Sequence, residues 1–131
     1  MELRAYQSSD QSACLTIHNN EPQLETYLNA SPQHFYVMEH EGSILGCGGF
    51  SLDSQSAQLH WGAVHADWRR QGLGRYLLMY RLKEISRHSN IEWVYAKVPN
   101  AFSSFYERNG FRLHSSDGDS TVWAKRLAVC S

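Results

Sequence analysis

Gly72 and Gly74 are separated by one residue and flanked by Arg69, Arg70 and Arg75, at the point where a strand-like pattern gives way to the longest helical pattern of the chain. Upstream, Ala57 to Val64 reads as a strand; downstream, Leu78, Leu82 and Ile85 recur at i, i+4 and i+7 with Leu77 beside them. That periodicity predicts a helix from about Gly72 to His88 with one face packed on a sheet. A strand, a glycine turn and a helix in this order belong to an α/β architecture. The glycines leave the backbone uncovered and let it turn tightly, so several amide N–H groups can converge on one anion. The start of the helix adds its unpaired N–H groups and partial positive charge. Formal net charge is -1 over 131 residues, so any pull on an anion must be local, and the three arginines supply it. The segment therefore predicts a phosphate or pyrophosphate site. It is not a nucleotide P-loop, because no GxxxxGK[ST] is present, nor a dinucleotide fingerprint, because Gly74 is followed by Arg75-Tyr76-Leu77 with no third glycine.

Around this segment the pattern predicts an α/β (α+β) fold with a mixed, mostly antiparallel sheet of about six to seven strands and about four helices. Leu3 to Tyr6 forms a short strand, and Ser8, Ser9 and Asp10 are N-cap candidates for a helix carrying Ala13, Cys14 and Ile17. Asn19-Asn20-Glu21-Pro22 stops that helix, and Leu24, Tyr27 and Leu28 mark a second. Phe35–His40, Ile44–Leu52 and Ala57–Val64 make a three-stranded antiparallel meander. After the long helix come a strand from Trp93 to Val98 ended by Pro99, a helix from Ala101 to Arg108 with Gly110 at its C′ position, and a hairpin of Phe111–Ser115 with Thr121–Leu127. Arg81 falls inside the apolar arc of the long helix, and nothing in the sequence accounts for it. No linker, repeat or low-complexity stretch divides the chain, so a single domain over residues 1–131 is expected.

Hydrophobic residues make up 42% and charged residues 19%, which suits a globular protein rather than a disordered one. The near-neutral charge argues against nucleic acid or an anionic membrane as partner. Cys14, Cys47 and Cys130 are widely and irregularly spaced, and the seven histidines are scattered, so neither a disulfide framework nor a metal site is expected. The N-terminus lacks the apolar core of a signal peptide and no apolar run approaches ~18 residues, which predicts a cytoplasmic protein. The closing Ala128-Val129-Cys130-Ser131 does not form a prenylation signal, because the cysteine is one residue from the end.

Arg69-x-x-Gly72-x-Gly74 resembles the [Q/R]xxGx[G/A] motif of the GNAT superfamily of N-acetyltransferases, in its usual place between strand and helix. Val64-His65-Ala66-Asp67-Trp68 resembles the family's V-x-P-x-[YFW] lead-in, with Ala66 where proline is common. Asn100 to Phe111, with Phe105-Tyr106-Glu107 and Gly110-Phe111 inside it, resembles the family's N…FYE…GF segment. The element order fits along the whole chain.

The resemblance implies an acetyl-CoA-dependent acyltransferase without a metal, whose cofactor lies where two parallel strands splay apart, here those ending at Val64 and Val98. Gly62 suits a bulge that opens the gap. Backbone groups of Ala63 and Val64 would pair with the pantetheine arm. Amides of Arg70, Gln71, Gly72, Leu73, Gly74 and Arg75 would cradle the pyrophosphate, with Arg69 and Arg70 near its charge. Asn100 and Ser103 would approach the pantetheine or adenosine side, although Asn100 also suits a plain helix N-cap. Tyr106 corresponds to the family tyrosine near the cofactor sulfur, where its phenol would protonate the departing thiolate; the alternative is a core aromatic. A lysine amine has a pKa of ~10.4 and an α-amino group ~8, so a proton must be removed before attack. Many family members carry a glutamate at the positions of Gln58 or His60; His60 can act as base, with Glu39 or water as alternatives. Strand alternation places His60 on the face of Gln58, Gly62 and Val64. A backbone N–H near Val64 would stabilise the oxyanion, and transfer would be direct, in a ternary complex.

The acceptor implied is a small-molecule or peptide amine, met by some of His18, Glu21, Tyr27, Tyr36, Glu39, Asp53, Trp61, His114 and Asp117. Two other readings are a CoA-binding regulatory module of the same fold without transfer activity, and an interaction domain using the basic residues. Trp123 and the apolar C-terminal strand suit either a homodimer contact or the core.

Overall fold

The structure is a computed structural model that describes residues 1–127. Seven strands form one mixed, mostly antiparallel sheet, and four helices flank it. In chain order they are β1 (Glu2–Ala5), α1 (Gln11–Ile17), α2 (Pro22–Asn29), β2 (Phe35–His40), β3 (Ser43–Leu52), β4 (Ser56–Val64), α3 (Leu73–Ser86), β5 (Trp93–Pro99), α4 (Ser103–Arg108), β6 (Arg112–Asp117) and β7 (Ser120–Arg126). The order across the sheet is β1-β2-β3-β4-β5-β7-β6. Three short 3-10 turns precede α1, α3 and α4. A parallel pair, β4 with β5, is joined at Ser56, Ala57 and Gln58 opposite Trp93, Val94 and Tyr95. β4 runs on to Val64, while β5 pairs with β7 along its whole length.

The chain forms two compact units, Met1–Phe50 with His60–Lys83 and Ser51–Leu59 with the chain from Glu84. In the first unit, adjacent strand residues Val37 and Met38 point to opposite faces. Val37 joins Cys14 of α1, Leu24 and Leu28 of α2, Phe35 and Cys47 in one buried cluster. Met38 joins Leu45 and Leu77 of α3 in another, with Val64, Trp68 and Leu73 packed against it. The i, i+4, i+7 stripe of α3 is buried as its spacing requires: Leu78, Leu82 and Ile85 are all inside. In the second unit, Val94, Ala96, Tyr106, Phe111, Trp123 and Ala124 form the interior.

Local details differ from the sequence reading at the first helix. Asp10 does not cap α1 with its side chain; its carboxylate accepts from the Gln7 N–H at 2.8 Å and from Arg4 at 2.8 and 2.9 Å. A partly buried carboxylate beside a guanidinium gains more from the ion pair than from a helix end. Pro22, expected only as a stop signal, opens α2 at its first turn, where its missing N–H costs nothing. Gly110 has φ +88 directly after α4, as its predicted C′ role demands. Trp123 is buried and donates from its indole Nε1 to Ser103 Oγ at 3.0 Å, so it fills the interior of its own unit. Cys130 and the apolar tail after Leu127 lie outside the described residues.

Candidate functional site

Between β4 and α3 the chain makes a 3-10 turn at Ala66–Trp68 and then a four-residue loop to Gly72. Trp68 is drawn inward against the Met38–Leu45–Leu77 cluster, and the His65 N–H donates to Leu45 O at 2.7 Å. These two contacts pin the start of the loop. Its far end is bent by two residues in the left-handed region, Arg70 at φ +65 and Gly72 at φ +79. Two left-handed residues so close together turn the backbone sharply just before α3. Gly72 O accepts the first bond of α3, from the Tyr76 N–H at 3.1 Å. The amides of Leu73 and Gly74 therefore stand in the first turn of the helix, ahead of that bond.

A Cβ built on Gly72 meets nothing within 4 Å. The space above the loop is open, which fits a phosphate-bearing group such as the pyrophosphate of coenzyme A. Arg69, expected near that charge, donates from Nε to Val64 O at 3.1 Å and so braces the end of β4 against the loop.

β4 is kinked one residue before the glycine expected to bend it. Trp61, not Gly62, has the left-handed backbone, φ +55. For a bulky side chain that conformation costs about 1–2 kcal/mol, and such outliers persist only where neighbours hold them. The kink breaks the strict alternation read from the sequence. His60 lies 6.2 Å from Tyr27, whose ring packs on Phe35, and Trp61 packs on that same buried cluster. Gly62 lies against Arg81 of α3 and Val64 packs beside Leu77, while His60 stands between the Tyr27 ring and the charge of Arg81. Burial, followed by the charge of Arg81, pushes the His60 pKa below its ordinary value. His18, at the C-cap of α1, donates from Nε2 to Trp61 O at 2.8 Å, and its ring meets the Trp61 ring edge-on at 5.5 Å. Burial also lowers the His18 pKa, outweighing the opposing effect of that hydrogen bond. Glu39, the other candidate base, is held by Arg4, with Nε at 2.8 Å and Nη2 at 2.7 Å from its Oε2.

In the second unit, Asn100 starts the 3-10 turn before α4. Its Nδ2 donates to Gly118 O at 3.0 Å, its Oδ1 accepts from Thr121 Oγ1 at 2.6 Å, and its N–H reaches Asp119 O at 2.9 Å. The side chain ties α4 to the β6–β7 turn. Ser103 accepts from Trp123, as described above. Tyr106 is mostly buried, its ring edge-on to Phe105 at 5.2 Å and to Phe111 at 5.4 Å. Of the remaining acceptor candidates, Tyr36 packs on Phe50 and Tyr80, His114 on Tyr95, and Glu21 caps α2.

Among the described residues, no group of three or more His, Cys, Asp or Glu is placed to hold a metal ion, and no helix is long and apolar enough to cross a membrane.

A mixed sheet with a short parallel pair, and a loop with left-handed Arg70 and Gly72 leading from β4 into α3, are the fold on which the family comparison falls. The chain belongs to the acetyltransferase (GNAT) domain family, which it matches over residues 31–113. No curated protein matches it in sequence. Solved structures share the fold at low identity. The ribosomal-protein-S18-alanine N-acetyltransferase from Escherichia coli superposes with TM-score 0.82 at 17% identity, covering 99% of this chain and 96% of that one. Ard1 from Thermoplasma volcanium gives 0.82 at 21%, covering 97% of each. N-acetylglutamate synthase from Neisseria gonorrhoeae, complexed with coenzyme A and L-arginine, gives 0.82 at 19% over 96% of this chain. This chain spans only a third of that synthase (33%).

Proposed function

We propose that this chain is a single-domain N-acetyltransferase that moves the acetyl group of acetyl-CoA to a primary amine by direct attack in a ternary complex. The observation that carries the reading is the loop from Arg69 to Arg75. Its left-handed Arg70 and Gly72, open space and helix-heading amides match what a pyrophosphate requires. Coenzyme A is bound in structures of the same fold, including the Neisseria synthase and PaiA N-acetyltransferase from Thermoplasma acidophilum.

In this reading the amides of Arg70, Gln71, Gly72, Leu73, Gly74 and Arg75 hold the pyrophosphate. Backbone groups of Ala63 and Val64 align the pantetheine arm as an added strand would. Acetyl-CoA, when bound, supplies an activated acyl group on a thiol that can leave. Tyr106, its ring fixed between Phe105 and Phe111, delivers its phenol proton to the leaving sulfur. His60 receives the amine proton, directly or through water; its lowered pKa keeps it unprotonated near neutral pH, as a base must be. Asn100 and Ser103, bonded with Thr121 and Trp123, brace the helix on which Tyr106 stands. The acceptor is a small-molecule or peptide amine, and the protein acts in the cytoplasm.

Thermal unfolding with and without millimolar acetyl-CoA tests the reading. A ligand of the native state at 100 times its Kd adds about 2.7 kcal/mol of stability, so the midpoint must rise. Gly72→Glu must abolish the rise. No shift in folded wild type would defeat the assignment. A shift without release of free thiol on any amine panel would favour the regulatory CoA-binding module.

A further inference from the structure

Trp61 and Gly62 share a peptide that is gripped from two helices. From α1, His18 Nε2 donates to the carbonyl oxygen of Trp61 at 2.8 Å, and the two rings meet at 89°. From α3, the guanidinium of Arg81 fills the space where side chains on two neighbouring strands would stand. A Cβ on Gly62 would lie 2.6 Å from Arg81 Nη2, and one on Gly48 would lie 3.2 Å from its Cζ. Arg81 is only 3% exposed and also donates from Nη1 to Gly49 O at 3.3 Å. Burying a guanidinium is expensive, and a leucine at this point of the α3 stripe would pack at no such cost. The two glycines and the arginine thus form one device, centred on the kink.

We propose that His18 and Arg81 are positioning residues for acyl transfer: together they hold the left-handed Trp61–Gly62 kink and thereby set the direction of the β4 backbone at Ala63 and Val64. This rests on the acyltransferase reading, in which those two residues align the donor. The kink is unfavourable by itself, because a tryptophan at positive φ strains its backbone. His18 fastens the carbonyl side of the peptide. Arg81 occupies the side to which Gly62 would otherwise present a side chain. Neither needs to touch substrate; each acts through the strand. The His18 bond also dictates its tautomer, since a carbonyl can only accept: the proton sits on Nε2.

The test compares His18→Leu and Arg81→Met with His18→Gln and Arg81→Lys, which keep a donor at similar reach. Each is followed by the amide resonances of Gly62, Ala63 and Val64, by acetyl-CoA titration calorimetry, and by kcat and KM on an accepted amine. The first pair is expected to move those amides, weaken acetyl-CoA about tenfold or more and lower kcat, while the unliganded protein stays folded; the second pair recovers most of each. Long-range ¹H–¹⁵N correlation of the His18 ring in wild type, which needs no variant to fold, must show the Nε2–H tautomer. An Nδ1–H tautomer, or folded His18→Leu and Arg81→Met proteins with unmoved amides or wild-type affinity, would overturn the inference. A wild type that ignores acetyl-CoA would instead overturn the acyltransferase reading, and the amides and tautomer would still decide the grip.

Discussion

Thr121 Oγ1 donates to Asn100 Oδ1 across 2.6 Å, and the same asparagine donates from Nδ2 to Gly118 O at 3.0 Å. Both polar ends of the side chain are thereby engaged in joining the start of α4 to the β6–β7 turn. Asn100→Ala removes two hydrogen bonds and leaves the mostly buried Thr121 hydroxyl without its acceptor. The expected cost is about 1–3 kcal/mol, read as a fall in unfolding midpoint of several degrees. Acetyl-CoA affinity should change little in the same variant; a large loss of affinity at unchanged midpoint would place the side chain on the cofactor instead.

Arg70 should show stability and binding moving in opposite directions. Its φ of +65 strains any residue with a Cβ, so Arg70→Gly relieves about 1–2 kcal/mol of backbone strain while costing about 0.4–1 kcal/mol through the freer unfolded chain. The midpoint should hold or rise slightly. Acetyl-CoA affinity should fall, because a cation near the pyrophosphate is gone. Arg70→Ala keeps the strain and loses the charge, so it should lie below the glycine variant in midpoint with a similar affinity. Calorimetry and thermal unfolding of the pair check this.

Tyr106→Phe preserves the edge-on contacts with Phe105 and Phe111 and deletes the hydroxyl alone. If the phenol is the general acid, kcat should drop about 10²-fold or more with KM for acetyl-CoA and the unfolding midpoint nearly unchanged. Wild-type kcat in this variant would make Tyr106 a packing residue.

Acid sensitivity should begin near neutrality. His18 and His60 both have folded pKa values below the ordinary 6.5, chiefly because burial disfavours their charged forms. As pH falls through 6.5 the unfolded chain takes up these protons before the folded one does. The stability they contribute is therefore present above 6.5 and is lost below it, down to the folded pKa values. Asp10, held down mainly by its hydrogen bonds from Arg4, contributes above 3.8 and loses its share as pH falls from there. Midpoints measured from pH 7.5 to 5 should decline, and His60→Gln should flatten the decline; an unchanged slope in that variant would refute the His60 contribution.

The elements near the loop were legible because they rest on local rules. Alternation and turn residues place β2, β3 and β4, the apolar stripe places α3, and the glycine pair marks the loop between β4 and α3. Gly110 was readable for the same reason, since a helix stop at positive φ favours the residue without a Cβ. The kink was readable only as a tendency. A glycine signalled it at position 62, yet the left-handed residue is Trp61, because His18 and Arg81, distant in sequence, grip that peptide. Asp10 is the N-cap of α1 by position, as its residue type suggests, but its carboxylate turns back to the Gln7 N–H and to Arg4, six residues earlier on β1.

By itself the sequence determined the order of the elements, the family and the place of the glycine loop between β4 and α3, since each follows from residues close together in the chain: periodicity, glycines and a short motif. Only the tertiary structure decided why Arg81 lies in an apolar stripe, which residue of β4 bends, and that Asn100 and Ser103 turn to Thr121 and Trp123. Those outcomes depend on contacts between residues nineteen or more positions apart, and no local rule of spacing records which donor reaches which carbonyl once the chain has closed on itself.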